Sequence, residues 1–179
     1  MTRKSAAIVA AFGLAIILGR AVCPPDVGAA AESVRLKNGA PSVDKLVDQF
    51  MQALKDRDKA KIRELRVTED EYRGLILPGS VDEGKPRQHY NDQASSYFWS
   101  ILDTKSIYNE ASILNSWGGR SVKLKSVSYR GGTKKYADYT AYKQLELKVE
   151  DEAGNEDELR LGSVAEVDGV YKFISFIRK

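Results

Sequence analysis

The hydrophobic period of this chain changes once, between Trp117 and Val122, and does not change back. Before Gly118-Gly119 apolar residues recur every three to four positions; after it they alternate. Helical spacing followed by strand spacing excludes a repeated strand–helix–strand architecture with a parallel sheet. What remains is an α+β domain: N-terminal helices packed on a four-stranded antiparallel sheet.

Ser42 caps a first helix whose apolar stripe is Val43, Leu46, Val47, Phe50, Met51 and Leu54. Asp56-Arg57-Asp58 interrupts it, and Asp58 caps a short second helix carrying Ile62 and Leu65. Thr68 and Glu71 have the spacing of a capping box, which starts a third short helix ended by Pro78-Gly79. Residues 78–90 read as a polar loop. A long helical region follows from about Asn91 to Gly118-Gly119, and the shift of its apolar stripe near Thr104–Ser106 reads as two helices or one kinked helix.

Four strands follow. The first begins at Val122 and ends near Arg130-Gly131-Gly132. The second runs from Tyr139 to Val149, the third from Leu159 to Val167, and the last from Val170 to Arg178. Asp168-Gly169 is a two-residue hairpin signal between the last two. The long helix is the expected cover for one sheet face. The last strand is apolar on both faces, so both should be covered, with Phe173 and Phe176 on opposite sides.

The first 31 residues read as a secretory signal peptide. Arg3 and Lys4 precede an apolar run from Ala6 to Gly19. Such a run makes about 21 Å of helix, short of the ~30 Å hydrocarbon core of a bilayer. Ala29-Ala30-Ala31 offers a small-residue cleavage site, so the exported chain should begin near Glu32 and reside in the periplasm or outside the cell. Cys23 lies in Arg20-Ala21-Val22-Cys23, which departs from a lipidation site at Arg20 and Val22; membrane attachment is expected only if Cys23 carries a lipid. Residues 32–41, punctuated by Asn38-Gly39 and Pro41, read as a linker, and 42–179 as the domain.

Loss of residues 1–31 removes Arg3, Lys4, Arg20 and Asp26, and the net charge falls from +3 to +1. A chain so nearly neutral offers no electrostatic case for nucleic acid. One Cys and one His exclude an intrachain disulfide, a cysteine cluster and a multi-histidine metal site. No cofactor or metal is expected.

The opening Val43-Asp44-Lys45-Leu46-Val47-Asp48-Gln49-Phe50-Met51-Gln52-Ala53-Leu54, followed by Asp58-Lys59-Ala60, resembles the first helices of the NTF2-like (SnoaL-like, cystatin-like cone) superfamily. The ending Val167-Asp168-Gly169-Val170-Tyr171-Lys172-Phe173-Ile174-Ser175-Phe176 resembles its closing strands. The resemblance covers both ends of residues 42–178 and is weak between them. It implies a curved sheet wrapped around a helix, leaving a conical pocket. Members of that superfamily include enzymes and proteins without activity, so the fold does not choose a function.

Three groups of residues could carry chemistry. His89-Tyr90-Asn91-Asp92 places the single histidine near a carboxylate, a weak catalytic candidate built on His89 and Asp92. Helix capping by Asn91 or Asp92 explains the same residues. Tyr97, Trp99, Tyr108 and Trp117 could line an apolar ligand pocket, or be ordinary core. Tyr129, Tyr136, Tyr139 and Tyr142 lie among Arg130, Lys134, Lys135 and Lys143, in the manner of a single-strand platform, but export argues against nucleic acid and half-exposed strand tyrosines account for them. The ligand-binding set taken from these is Tyr97, Tyr108, Trp117 and Tyr142.

These readings lead to an exported, non-catalytic protein that binds a small apolar molecule or a protein partner in or beside the cone. The alternative is an isomerase- or hydratase-like enzyme moving a proton with a pocket Asp, His or Tyr. A homodimer through the sheet is a third expectation, and requires an exposed sheet face that is apolar rather than rich in Lys and Glu.

Overall fold

The computed structural model describes residues 34–177. The signal segment, Cys23 and the cleavage site lie outside the described residues. Ser42 caps α1 (Val43–Lys55), its Oγ accepting from Lys45 N at 3.2 Å. The stripe Leu46, Val47, Phe50, Ala53 and Leu54 is buried. Asp58 caps α2 (Lys59–Glu64) through Lys61 N. The capping box at α3 (Glu69–Glu71) is complete: Glu71 N donates to Thr68 Oγ1, and Thr68 N donates to Glu71 Oε2.

A π-helical turn, Tyr72–Ile76, joins α3 to α4 (Leu77–Gly79). Pro78 accounts for part of this irregularity. It has no N–H to give the carbonyl of Gly74 four residues back. Arg87 takes that carbonyl instead, its Nη2 donating to Gly74 O at 3.2 Å. The long helical region is one helix, α5 (Asp92–Trp117), capped by Asn91 and stopped at Gly118.

The strands form an α+β arrangement of two antiparallel sheets rather than one four-stranded sheet. One has the order β1 (Val122–Tyr129), β4 (Leu145–Asp151), β5 (Glu156–Arg160). The other has the order β2 (Thr133–Lys135), β3 (Thr140–Tyr142), β6 (Val164–Val167), β7 (Val170–Phe173). The expected second and third strands each break in the middle, at Lys143-Gln144 and at Leu161-Gly162-Ser163. Gln144 breaks its strand by adopting φ 55°. The chain stays paired across the breaks, Leu145 N donating to Gly162 O and Leu161 N to Leu145 O. The alternation lapses at Lys143 and again at Gly162-Ser163, but Leu145, Leu147 and Val149 keep the phase of Tyr139 and Ala141, so the pattern reads across the first break as one strand. In β1 a bulge between Leu124 and Ser126 shifts the register, which explains why Val122 and Leu124 precede Val127 and Tyr129 by an odd step.

The cover of the sheets differs from expectation. α1, not the long helix, supplies most of the helical side of the central core. Phe50 packs on Phe173 and Phe176, with ring centroids 5.4 and 5.8 Å away. Leu145, Leu147, Val149, Leu159, Leu161 and Val164 close around it. α5 contributes only Ile113 and Trp117 among its buried apolar residues. Phe173 and Phe176 share this core, 5.3 Å apart, instead of facing opposite ways. β7 ends at Phe173, so strand alternation no longer governs Phe176.

The other face of β3, β6 and β7 is covered as well. Ala141 and Ala165 meet Leu36, Val67, Leu75, Ile76 and Tyr139 in a second cluster. Residues 34–41, read as a linker, lie against the body here. Ala40 and Tyr171 exchange backbone hydrogen bonds at 3.0 and 2.8 Å. Leu65 and Val67 pair with Phe173 beside them, so the free edge of β7 is occupied.

Candidate functional site

A groove of about 1210 Å³ lies between residues 34–38, the turn from Thr68 to Gly74, and the loop leading into α5. Its wall carries a buried ion pair. Lys172 Nζ donates to Glu71 Oε2 at 2.9 Å, with side chains only 3% and 4% exposed. Lys172 also donates to Lys37 O, and Lys37 N donates to Glu71 Oε1 at 2.7 Å. With Thr68 N on Oε2, every strong acceptor direction of Glu71 is occupied. The pair fastens the N-terminal segment to the capping turn and β7, leaving the carboxylate no open position for a substrate proton.

Two arginines of the groove are paired as well. Arg73 spans Glu69, Asp92 and Ser95 at 3.1–3.2 Å. Arg87 joins Asp138 at 2.6 Å. His89 and Asp92 both line this groove. His89 is exposed, no hydrogen bond joins it to Asp92, and Asp92 serves the first turn of α5 and Arg73. Asn91 makes the cap, its Oδ1 accepting from Ala94 N at 2.8 Å. Among the described residues no three His, Cys, Asp or Glu side chains gather as metal ligands.

The four expected ligand-binding residues do not converge. Trp117 is buried in the central core, with the Arg120 guanidinium 4.5 Å from its ring centroid. Tyr142 is half-buried between Tyr129 and Tyr171, at 5.2 and 6.0 Å. Tyr97 and Tyr108 stand in solvent, 61% and 76% exposed. None of the four lines the groove. Of the other tyrosines, Tyr136 stacks on Tyr139 at 4.9 Å. Burial raises the Tyr139 hydroxyl to about 12, with its hydrogen bond to Ser80 opposing the shift.

The exposure of Tyr97 and Tyr108 follows from an inverted helix. The buried residues of α5 before Ile113 are all polar: Ser95, Ser106 and Glu110. Arg66 pairs with Asp103 and lies over Trp99, its guanidinium 5.2 Å from the ring centroid. Arg63 Nε donates to both oxygens of Glu110 at 3.2 Å, and Glu110 is buried. Ser106 is buried too. The outward side carries Tyr97, Ile101, Thr104, Tyr108 and Ala111, all exposed and spaced by alternating steps of four and three. Phe98 and Ile107 flank them and are also exposed. Lys105 is the one charged residue on that exposed strip between Tyr97 and Ala111.

Sequence reading grouped Tyr97 and Tyr108 with Trp99 and Trp117 and assumed that an apolar stripe faces inward. The signal it missed was the partner set: Arg63, Arg66 and Arg73 upstream match Glu110, Asp103 and Asp92 on α5. No family model, curated protein or solved structure matches the chain.

Proposed function

We propose that this chain is an exported, non-catalytic interaction protein built on an NTF2-like domain, and that it meets a protein partner through the outward face of α5. The carrying observation is the inversion of that helix: ion pairs hold its inner side, while Tyr97, Phe98, Ile101, Ile107 and Tyr108 face solvent. Exposed apolar patches of this kind mark interaction sites on soluble proteins. Tyr and other aromatics are also the residues that anchor interfaces.

The NTF2-like reading draws support from α1, which lies against the inner side of sheets broken and re-paired at residues 143–144 and 161–163. Where a small apolar ligand would lodge against α1, Phe50, Phe173 and Phe176 occupy the space. That favours a partner protein over a small molecule. The enzyme alternative finds its histidine exposed and its buried carboxylate, Glu71, fully engaged. The leader-like pattern of residues 1–31 supports export. No helix among the described residues is long and apolar enough to cross a membrane.

A photo-crosslinking amino acid at position 101, in the chain expressed in its own cells, tests this. A discrete adduct is expected there and not at position 148 on the charged sheet face. Absence of any adduct at 101, 97 and 108 rejects the reading.

A further inference from the structure

Building on that reading, we infer that the partner seated on α5 is a second copy of this chain, its own α5 lying antiparallel across the two-fold axis at Thr104. Three observations carry this. The first is spacing: Tyr97, Ile101, Thr104, Tyr108 and Ala111 follow the a/d pattern of a helix-pairing seam over more than two turns of an uninterrupted 26-residue helix. No other described element shares the seam, because all five residues are exposed.

The second is self-complementarity. Turned about Thr104, the seam sets Tyr97 level with Ala111 of the second copy and Ile101 within one residue of the level of its Tyr108, while Thr104 meets Thr104. Tyr97 then faces a small residue and Tyr108 an aliphatic one, which is how packed interiors fill space. A parallel pair would set Tyr97 on Tyr97 and Tyr108 on Tyr108, with Thr104 and Ala111 leaving gaps between them. Lys105 sits beside the seam, where its stem can cover apolar surface while its ammonium stays in water.

The third is area. From their exposures, Tyr97, Phe98, Ile101, Ile107 and Tyr108 together present on the order of 500 Å². That is more than half of the roughly 800 Å² that each partner gives to a standard interface. Ala94, Ser100, Thr104, Lys105 and Ala111 along the same strip add to it. The exposed face of β1-β4-β5 offers no rival. It carries Lys125–Glu150, Arg160–Glu146 and Arg160–Glu158 pairs, so the condition set for a sheet-mediated dimer is not met.

The experiment uses the purified full chain. Sedimentation over a dilution series should show a dimer that dissociates to monomer. Ile101→Glu should weaken it about thirty-fold or more, with the melting temperature of the diluted monomer unchanged. In a Cys23→Ser background, Thr104→Cys should join two copies through a short bismaleimide, whereas Lys148→Cys should not. A dimer that survives Ile101→Glu and gives no linkage at 104 overturns the inference. So does a chain that stays monomeric at every concentration. In that monomeric case, a position-101 adduct to a different protein would still uphold the interaction reading. Absence of any adduct would remove both.

Discussion

Lys172 and Glu71 meet at 2.9 Å where neither side chain reaches solvent, although 101 residues of chain separate them. Each charge makes the burial of the other tolerable. Replacing one alone strands the other, which costs about 3–5 kcal/mol in comparable buried pairs. Lys172→Met should therefore lose about that much in chemical denaturation. Adding Glu71→Gln removes the stranded charge, and its amide oxygen still accepts from one of the two backbone donors, Lys37 N or Thr68 N. The double variant should regain at least about 1 kcal/mol. Additive losses would show that the two residues do not act as a pair.

Phe173→Ala and Phe176→Ala should each cost about 3–5 kcal/mol, because both rings are fully buried against Phe50. Their contact at 5.3 Å makes the double variant cost less than the sum. Urea unfolding curves of the three variants measure this. A near-zero loss at Phe176 would return it to an exposed face.

Tyr139 predicts alkaline instability. Its hydroxyl is pushed from an ordinary value of 10.0 up to about 12 by burial. Between those pH values the unfolded chain has lost the proton and the folded chain keeps it. The folded state then binds more protons, and stability falls as pH rises through that window. Two pH units correspond to about 2.7 kcal/mol. Burial also raises Tyr72 and Tyr129, which steepens the fall. Tyr139→Phe should flatten the pH 10–12 stability slope relative to the parent; an unaltered slope would place the linkage elsewhere.

Gly162 lies where the third expected strand breaks, and a Cβ there would collide with the backbone carbonyl of Ser175. Backbone cannot turn aside as a flexible side chain can. Gly162→Ala should lower stability by about 1–3 kcal/mol, as overpacking does. Gly154→Ala is a useful contrast: its Cβ would meet nothing within 4 Å, and its cost would come only from φ +84°. Thermal melts that rank Gly162→Ala as the milder change would contradict the close approach.

On α5, Tyr97→Ser and Tyr108→Ser should each leave the stability of the isolated monomer within about 0.5 kcal/mol, since both stand in solvent. Trp117→Ala on the same helix should cost about 3–5 kcal/mol. Melting curves at dilutions below dimer formation separate the two cases.

Local chemistry was legible in the sequence alone. Ser42, Asp58, Thr68 with Glu71, and Asn91 each cap the helix that their side chains indicate, because a cap bonds within three residues of itself. The Asp168-Gly169 hairpin and the order of helices before strands also follow from nearest neighbours. Tertiary structure alone decided which apolar stripe became core. α1 and α5 both carry one, but α5 meets the body through Asp92, Asp103 and Glu110, whose arginine partners lie 19, 37 and 47 residues away. The same holds for the breaks at Gln144 and Gly162, which arise where strands bend together across long sequence separations. Periodicity records that a face is apolar. Which surface covers that face depends on contacts that form only once distant segments have come together.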